Sequence, residues 1–166
     1  MQHRLIWHIR LHFASPKCFA TSDMPIRYLK YFELLKDLKE KRGVEKIVLF
    51  VADGIQYLED EVLKIYPNAD FQKCVVHKMR NVLNKTAPKD KDEVANDLKK
   101  VFDNFDRGAT LKKALQKRYL FLEKWKSKYP NFKNCFKEGN IEYYFTYIKY
   151  EPAVRRMIYT TNSNKI

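Results

Sequence analysis

Acidic residues are what this chain has little of: 20 Asp and Glu stand against 33 Lys and Arg, a formal charge of +13. Glycine is scarce too. There are four glycines and no G-x-G-x-x-G arrangement, so the chain has no glycine-rich phosphate loop and no ordinary nucleotide-binding motif. The three cysteines, Cys18, Cys74 and Cys135, are odd in number and far apart, which argues against a disulfide framework and suits a reducing interior. No run approaches the roughly eighteen apolar residues needed to span a bilayer, so the chain reads as soluble, with no membrane partner.

The apolar content is 45% of 166 residues, enough for one domain with a real core, or one domain carrying an insertion. Basic residues run from Arg4 to Lys165 and are densest between Arg107 and Lys133. In that window Arg107, Lys112, Lys113, Lys117, Arg118, Lys124, Lys126, Lys128 and Lys133 meet a single acid, Glu123. Such an excess implies a polyanionic partner, most commonly nucleic acid; a solvated lysine-rich surface is the plainer alternative. Residues 1–24 stand apart. From Met1 to Ser22 there is no acid, a composition like that of an organelle transit peptide, or of a leader from an irregular start within a longer reading frame.

Along the chain, Tyr28, Tyr31, Phe32, Leu35 and Leu38 predict a helix over Ile26–Arg42, stopped by Gly43. Lys46–Val51 is a continuous apolar, β-branched run that predicts a central parallel strand. Ile55, Leu58, Val62 and Ile65 predict a second helix, and Phe71–Val76 a second strand. Helix, strand, helix, strand predicts a βαβ layer with a parallel sheet. After His77 the periodicity is helical only. One stripe runs Val94, Leu98, Val101, Phe102, Phe105 and another Leu111, Leu115, Tyr119, Leu122, Trp125, Tyr129, so an all-helical insertion is expected. Residues 131–150 are aromatic-rich without a clear period, and Glu151-Pro152 opens a short helix through Ile158.

Three candidate sites emerge. Asp53 follows the first strand at its carboxyl end, where ligands gather in parallel sheets, and its carboxylate suits Mg²⁺. Asp53-Gly54 is equally an ordinary turn that caps the next helix; Asp60 and Glu61 read as solvent-facing. Cys74 and His77 have a spacing that can supply two zinc ligands, but Cys135 alone does not complete a set of four, and a buried Cys beside a packed His is the simpler account. Lys78, Arg80 and Asn81, with Lys85, open a basic helix able to reach phosphates, as do Lys112, Lys113 and Lys117 further on. Trp125 and Tyr129 read as core.

Taken in order, Tyr31-Phe32-(x)5-Leu38-Lys39-(x)2-Arg42-Gly43-Val44, Val51-Ala52-Asp53-Gly54 and Tyr66-Pro67-Asn68-Ala69-(x)2-Gln72-Lys73-Cys74-Val75-Val76-His77-Lys78-Met79-Arg80-Asn81 resemble a Mutator-type insertion-sequence transposase. Phe121-(x)3-Trp125-(x)3-Tyr129-Pro130 and Val154-Arg155-Arg156-Met157-Ile158-Tyr159-Thr160-Thr161-Asn162 continue the pattern, so the resemblance covers roughly residues 28–163. It implies a partial ribonuclease-H-like α/β fold: a core over 25–81, a helical insertion over 82–150 and a returning core helix from 151 to 166. It also implies metal-dependent DNA strand cleavage and transfer, with an Asp, Asp, Glu triad holding paired Mg²⁺ or Mn²⁺ ions. Asp53 would be the second acid, catalytic and metal-binding, and Cys74 and His77 the family's Cys-x-x-His. The implied partners are insertion-sequence ends and target DNA, with a possible homo-oligomer, in a bacterial, nucleoid-associated cytoplasm. The first acid falls in a region with no counterpart here. The third belongs to an Ile-Glu step, where the chain reads Ser163-Asn164-Lys165-Ile166. The expectation is therefore an inactive fragment, with a non-catalytic basic DNA-binding protein as the alternative.

Overall fold

A computed structural model describes residues 26–53, 58–136 and 141–159, with side chains from residue 31 onward. The leader, Gly54, Ile55 and the Thr160-Thr161-Asn162 motif lie outside the described residues. Among the described residues the architecture is mixed α/β and mostly helical, with one parallel pair of strands. The chain falls into two compact units that divide after Phe71.

In the first unit, α1 (Ile26–Glu40) buries Tyr31 and Leu35. It stops because Gly43 takes φ +65, the left-handed region open to glycine. That lets Val44 N donate back to Leu38 O at 2.9 Å. β1 (Leu49–Ala52) is buried at all four positions, as a parallel strand covered on both faces should be. It is shorter than the apolar run Lys46–Val51 and shifted forward, since Lys46 is exposed. α2 (Leu58–Ile65) turns Leu58, Val62 and Ile65 inward. Glu61, expected to face solvent, is instead buried, its Oε1 accepting from Lys64 Nζ at 2.5 Å; Asp60 is exposed. β2 (Asp70–Lys73) pairs with β1, Asp70 N donating to Val48 O at 2.9 Å, and the Phe50 and Phe71 rings stack 6.3 Å apart.

The second unit begins within β2. The strand expected over Phe71–Val76 ends at Lys73, and α3 (Val75–Leu83) starts two residues later. Val75 and Val76 are good strand residues, but Val75 and Val82 lie on one buried helical face, and that period decides their structure. α4 (Lys91–Phe102) and α5 (Leu111–Trp125) each end earlier than their apolar stripes, leaving Phe105 in the turn between them and Tyr129 beyond α5. α6 (Phe132–Cys135) and two one-turn 3-10 helices, Ile141–Tyr144 and Thr146–Lys149, carry the aromatic segment. Its rings form the core: Phe132 stacks on Tyr129 at 4.7 Å and on Phe121 at 5.7 Å, and Phe145 on Phe102 at 5.4 Å. Trp125 is buried with them. α7 (Pro152–Ile158) opens on proline as expected, since the first helical turn needs no N–H from it.

Candidate functional site

Asp53 is the first residue after β1 and is half-buried. Four buried side chains anchor the strand that presents it, and parallel pairing makes this the carboxyl edge of the sheet. The surrounding frame is cross-braced. Lys39 Nζ donates to Ile65 O at 2.8 Å and lies 5.6 Å from the centre of the Tyr66 ring, while Tyr66 donates its hydroxyl to Val44 O at 3.0 Å. Burial pushes the Tyr66 phenol up, so this donor stays protonated.

In the second unit Cys74 is fully buried as the N-cap residue of α3, and His77, one turn on, is half-buried. Val75 N donates to Tyr159 O at 3.0 Å, so the end of α7 meets the start of α3. Two stretches of the resemblance far apart in sequence, Gln72–His77 and Val154–Tyr159, are thus brought together. Gln72 fixes the strand end from within: its Nε2 donates to Lys73 O at 2.6 Å and Tyr144 O at 3.2 Å, and its Oε1 accepts from Tyr147 N at 2.8 Å.

Asp53, Cys74 and His77 each offer an atom able to ligate a metal ion. The carboxylate oxygen of Asp53 suits a hard cation such as Mg²⁺ or Mn²⁺, whereas thiolate and imidazole suit softer ions. On donor chemistry, Asp53 fits the ion that the resemblance implies.

The basic candidates divide sharply. Lys78 cannot serve as a surface phosphate contact: it is 2% exposed, its Nζ donating to Cys135 O at 2.7 Å above the Tyr144 ring. Its aliphatic stem suits the helix's inward face, and the carbonyl and ring together hold its charge. Arg80, Asn81 and Lys112 are exposed. Lys113 is exposed, its Nζ on Gly108 O at 2.9 Å. Lys117 is half-buried, its Nζ on Asp103 O at 2.6 Å and Asn104 Oδ1 at 3.0 Å.

Sequence reasoning missed Arg155, which is buried. Its Nε donates to Tyr150 O at 2.7 Å, and its Nη1 to Asn104 O at 3.0 Å and Asp106 O at 2.5 Å. It lies within the quoted Val154–Asn162 motif, but nothing in its spacing signals burial. Asn104 was missed as well; it is 1% exposed and donates to Val101 O at 2.8 Å and the Tyr147 hydroxyl at 3.1 Å.

The fold and the strand-end carboxylate define a mixed α/β protein that carries a basic helical unit. Residues 29–165 match the family described as Transposase, Mutator family, and the chain belongs to it. It is similar to the transposase for insertion sequence element IS1201 of Lactobacillus helveticus, 32% identical over 78% of this chain and 34% of that protein. It is also similar to the transposase for insertion sequence element ISRM3 of Rhizobium meliloti, 29% identical over 80% of this chain and 32% of that one. The transposase for insertion sequence element IS905 of Lactococcus lactis subsp. lactis is 27% identical over 77% and 31%. The chain therefore spans about a third of the length of the curated relatives it matches. Among the described residues, no helix is long and apolar enough to cross a membrane.

Proposed function

We propose that this chain is part of a transposase that cuts and joins DNA at an insertion sequence, on a ribonuclease-H-like core, with Asp53 as a catalytic metal ligand. The observation that carries this reading is the position of Asp53, half-buried at the carboxyl end of a fully buried parallel strand, in a chain of this family. A divalent ion held there would polarise a phosphoryl oxygen and lower the pKa of a bound water. The strand and its braces fix where the carboxylate stands, so little ordering accompanies ion binding. The basic helical unit supplies the charge that draws DNA in, through contacts that need only cations and hydrogen-bond donors.

Mn²⁺ titration followed by water proton relaxation tests the assignment. The expected result is a saturable site that Asp53→Asn weakens at least tenfold, with the fold unchanged by circular dichroism. Equal Mn²⁺ binding by the variant would remove Asp53 from its role.

A further inference from the structure

The cations of the helical unit are not equivalent, and the difference lies in what holds them. Near the end of α5 each lysine sits on a carboxylate. Lys124 Nζ lies 2.5 Å from Asp97 and 2.7 Å from Glu93, Lys126 Nζ 2.6 Å from Glu123, and Lys128 Nζ 2.6 Å from Asp90. That half of the basic window is neutralised from within. At the turn between α4 and α5 the arrangement is the opposite. Lys113 and Lys117 from α5 and Arg155 from α7 donate to backbone carbonyls of residues 103–108. The guanidinium of Arg156 lies 5.2 Å from the centre of the Phe105 ring. Arg107 in the turn and Lys112 beside it are exposed.

A carbonyl or an aromatic ring orients a cation without cancelling its charge. Six cations from three stretches of sequence thus lie at or beside this turn, against Asp103 and Asp106 within it and Glu151 at the start of α7, and the balance of the patch stays positive. Arg155, buried beneath it, pins the turn, so the exposed members stand on a fixed base.

Resting on the DNA reading above, we infer that the α4–α5 turn, with Arg107, Lys112, Lys113 and Arg156, is where this chain grips the phosphate backbone of duplex DNA. The lysine-dense end of α5 is not that place. Backbone contacts require positive charge and donors on a rigid support and no base-reading groove, and the patch has those properties.

Fluorescence anisotropy with a labelled duplex of random sequence, using the full chain between 50 and 200 mM KCl, tests this. Arg107→Glu with Lys112→Glu is expected to weaken binding more than tenfold at 100 mM. Arg107→Ala with Lys112→Ala should make the slope of log K against log salt shallower by about 2, because each phosphate contact contributes about 0.9. Lys124→Ala with Lys126→Ala is expected to change affinity less than threefold. The charge-conserving pair Arg107→Lys with Lys112→Arg should retain binding, and thermal melts check that all variants fold. An equal loss in the α5-end pair, or no loss at the turn, overturns the location while leaving the DNA reading intact. A wild-type chain that fails to bind the duplex, or prefers polyglutamate to it, overturns both.

Discussion

Gln72 has no exposed surface, and both ends of its amide are bonded to backbone across the aromatic segment. Gln72→Leu keeps the volume and leaves Tyr147 N–H and Tyr144 O without this partner. We expect a loss of about 2 kcal/mol or more, the penalty for orphaned buried polar groups, read as a lower urea midpoint. A change under about 0.5 kcal/mol, the usual surface value, would show that the amide is dispensable. Among the described residues, two carboxylates of the second unit shape the acid limb, alongside Asp37 of the first, which Arg42 and Lys41 hold below its usual range. Lys128 and the Tyr129 hydroxyl hold the Asp90 carboxyl below its usual range. Burial raises that of Asp97, but Lys124, Lys100 and Trp125 outweigh it and the net direction is down. Both groups are thus more acidic folded than unfolded. Their stabilisation is complete above the unfolded value of about 3.9 and is lost as pH falls through that value toward the lower folded ones. Melting temperature should fall steeply below that point, and Asp90→Asn should flatten the fall; a parallel profile in the variant would contradict the assignment.

At the scale of elements, helix ends carry the testable content. A Cβ on Gly43 would meet nothing within 4 Å, so any effect of Gly43→Ala comes from the backbone alone. At φ +65 an alanine costs about 1 kcal/mol, and denaturant unfolding should show it; a neutral result would mean that the α1 stop does not depend on this conformation. The order of helices and strands was legible in the sequence because apolar period alone separates β1 from its flanking helices. The end of β2 was not. Phe71–Val76 has strand composition throughout, and its helical half shows only where Val75 and Val82 are buried on one face and Val75 N meets Tyr159 O, more than eighty residues away. The aromatic segment was equally opaque, because one-turn 3-10 helices leave no period to read.

For the whole molecule, the charge of +13 predicts DNA affinity that falls at least tenfold between 50 and 200 mM KCl, as expected for several phosphate contacts. Affinity insensitive to salt would count against backbone binding. Composition could announce that charge but not its distribution. Lys78 and Lys112 are both lysines on helices, yet one is buried under a tyrosine ring and the other is open to solvent.

The sequence by itself determined the family, the α/β order, and the aspartate that closes the first strand, because each is written in local period, charge or an ordered run of motifs. Only the tertiary structure decided which cations remain available and where the second strand gives way to helix. Both show in contacts between partners distant along the chain, and a hydrogen bond or ion pair between such partners leaves no trace in the spacing of either.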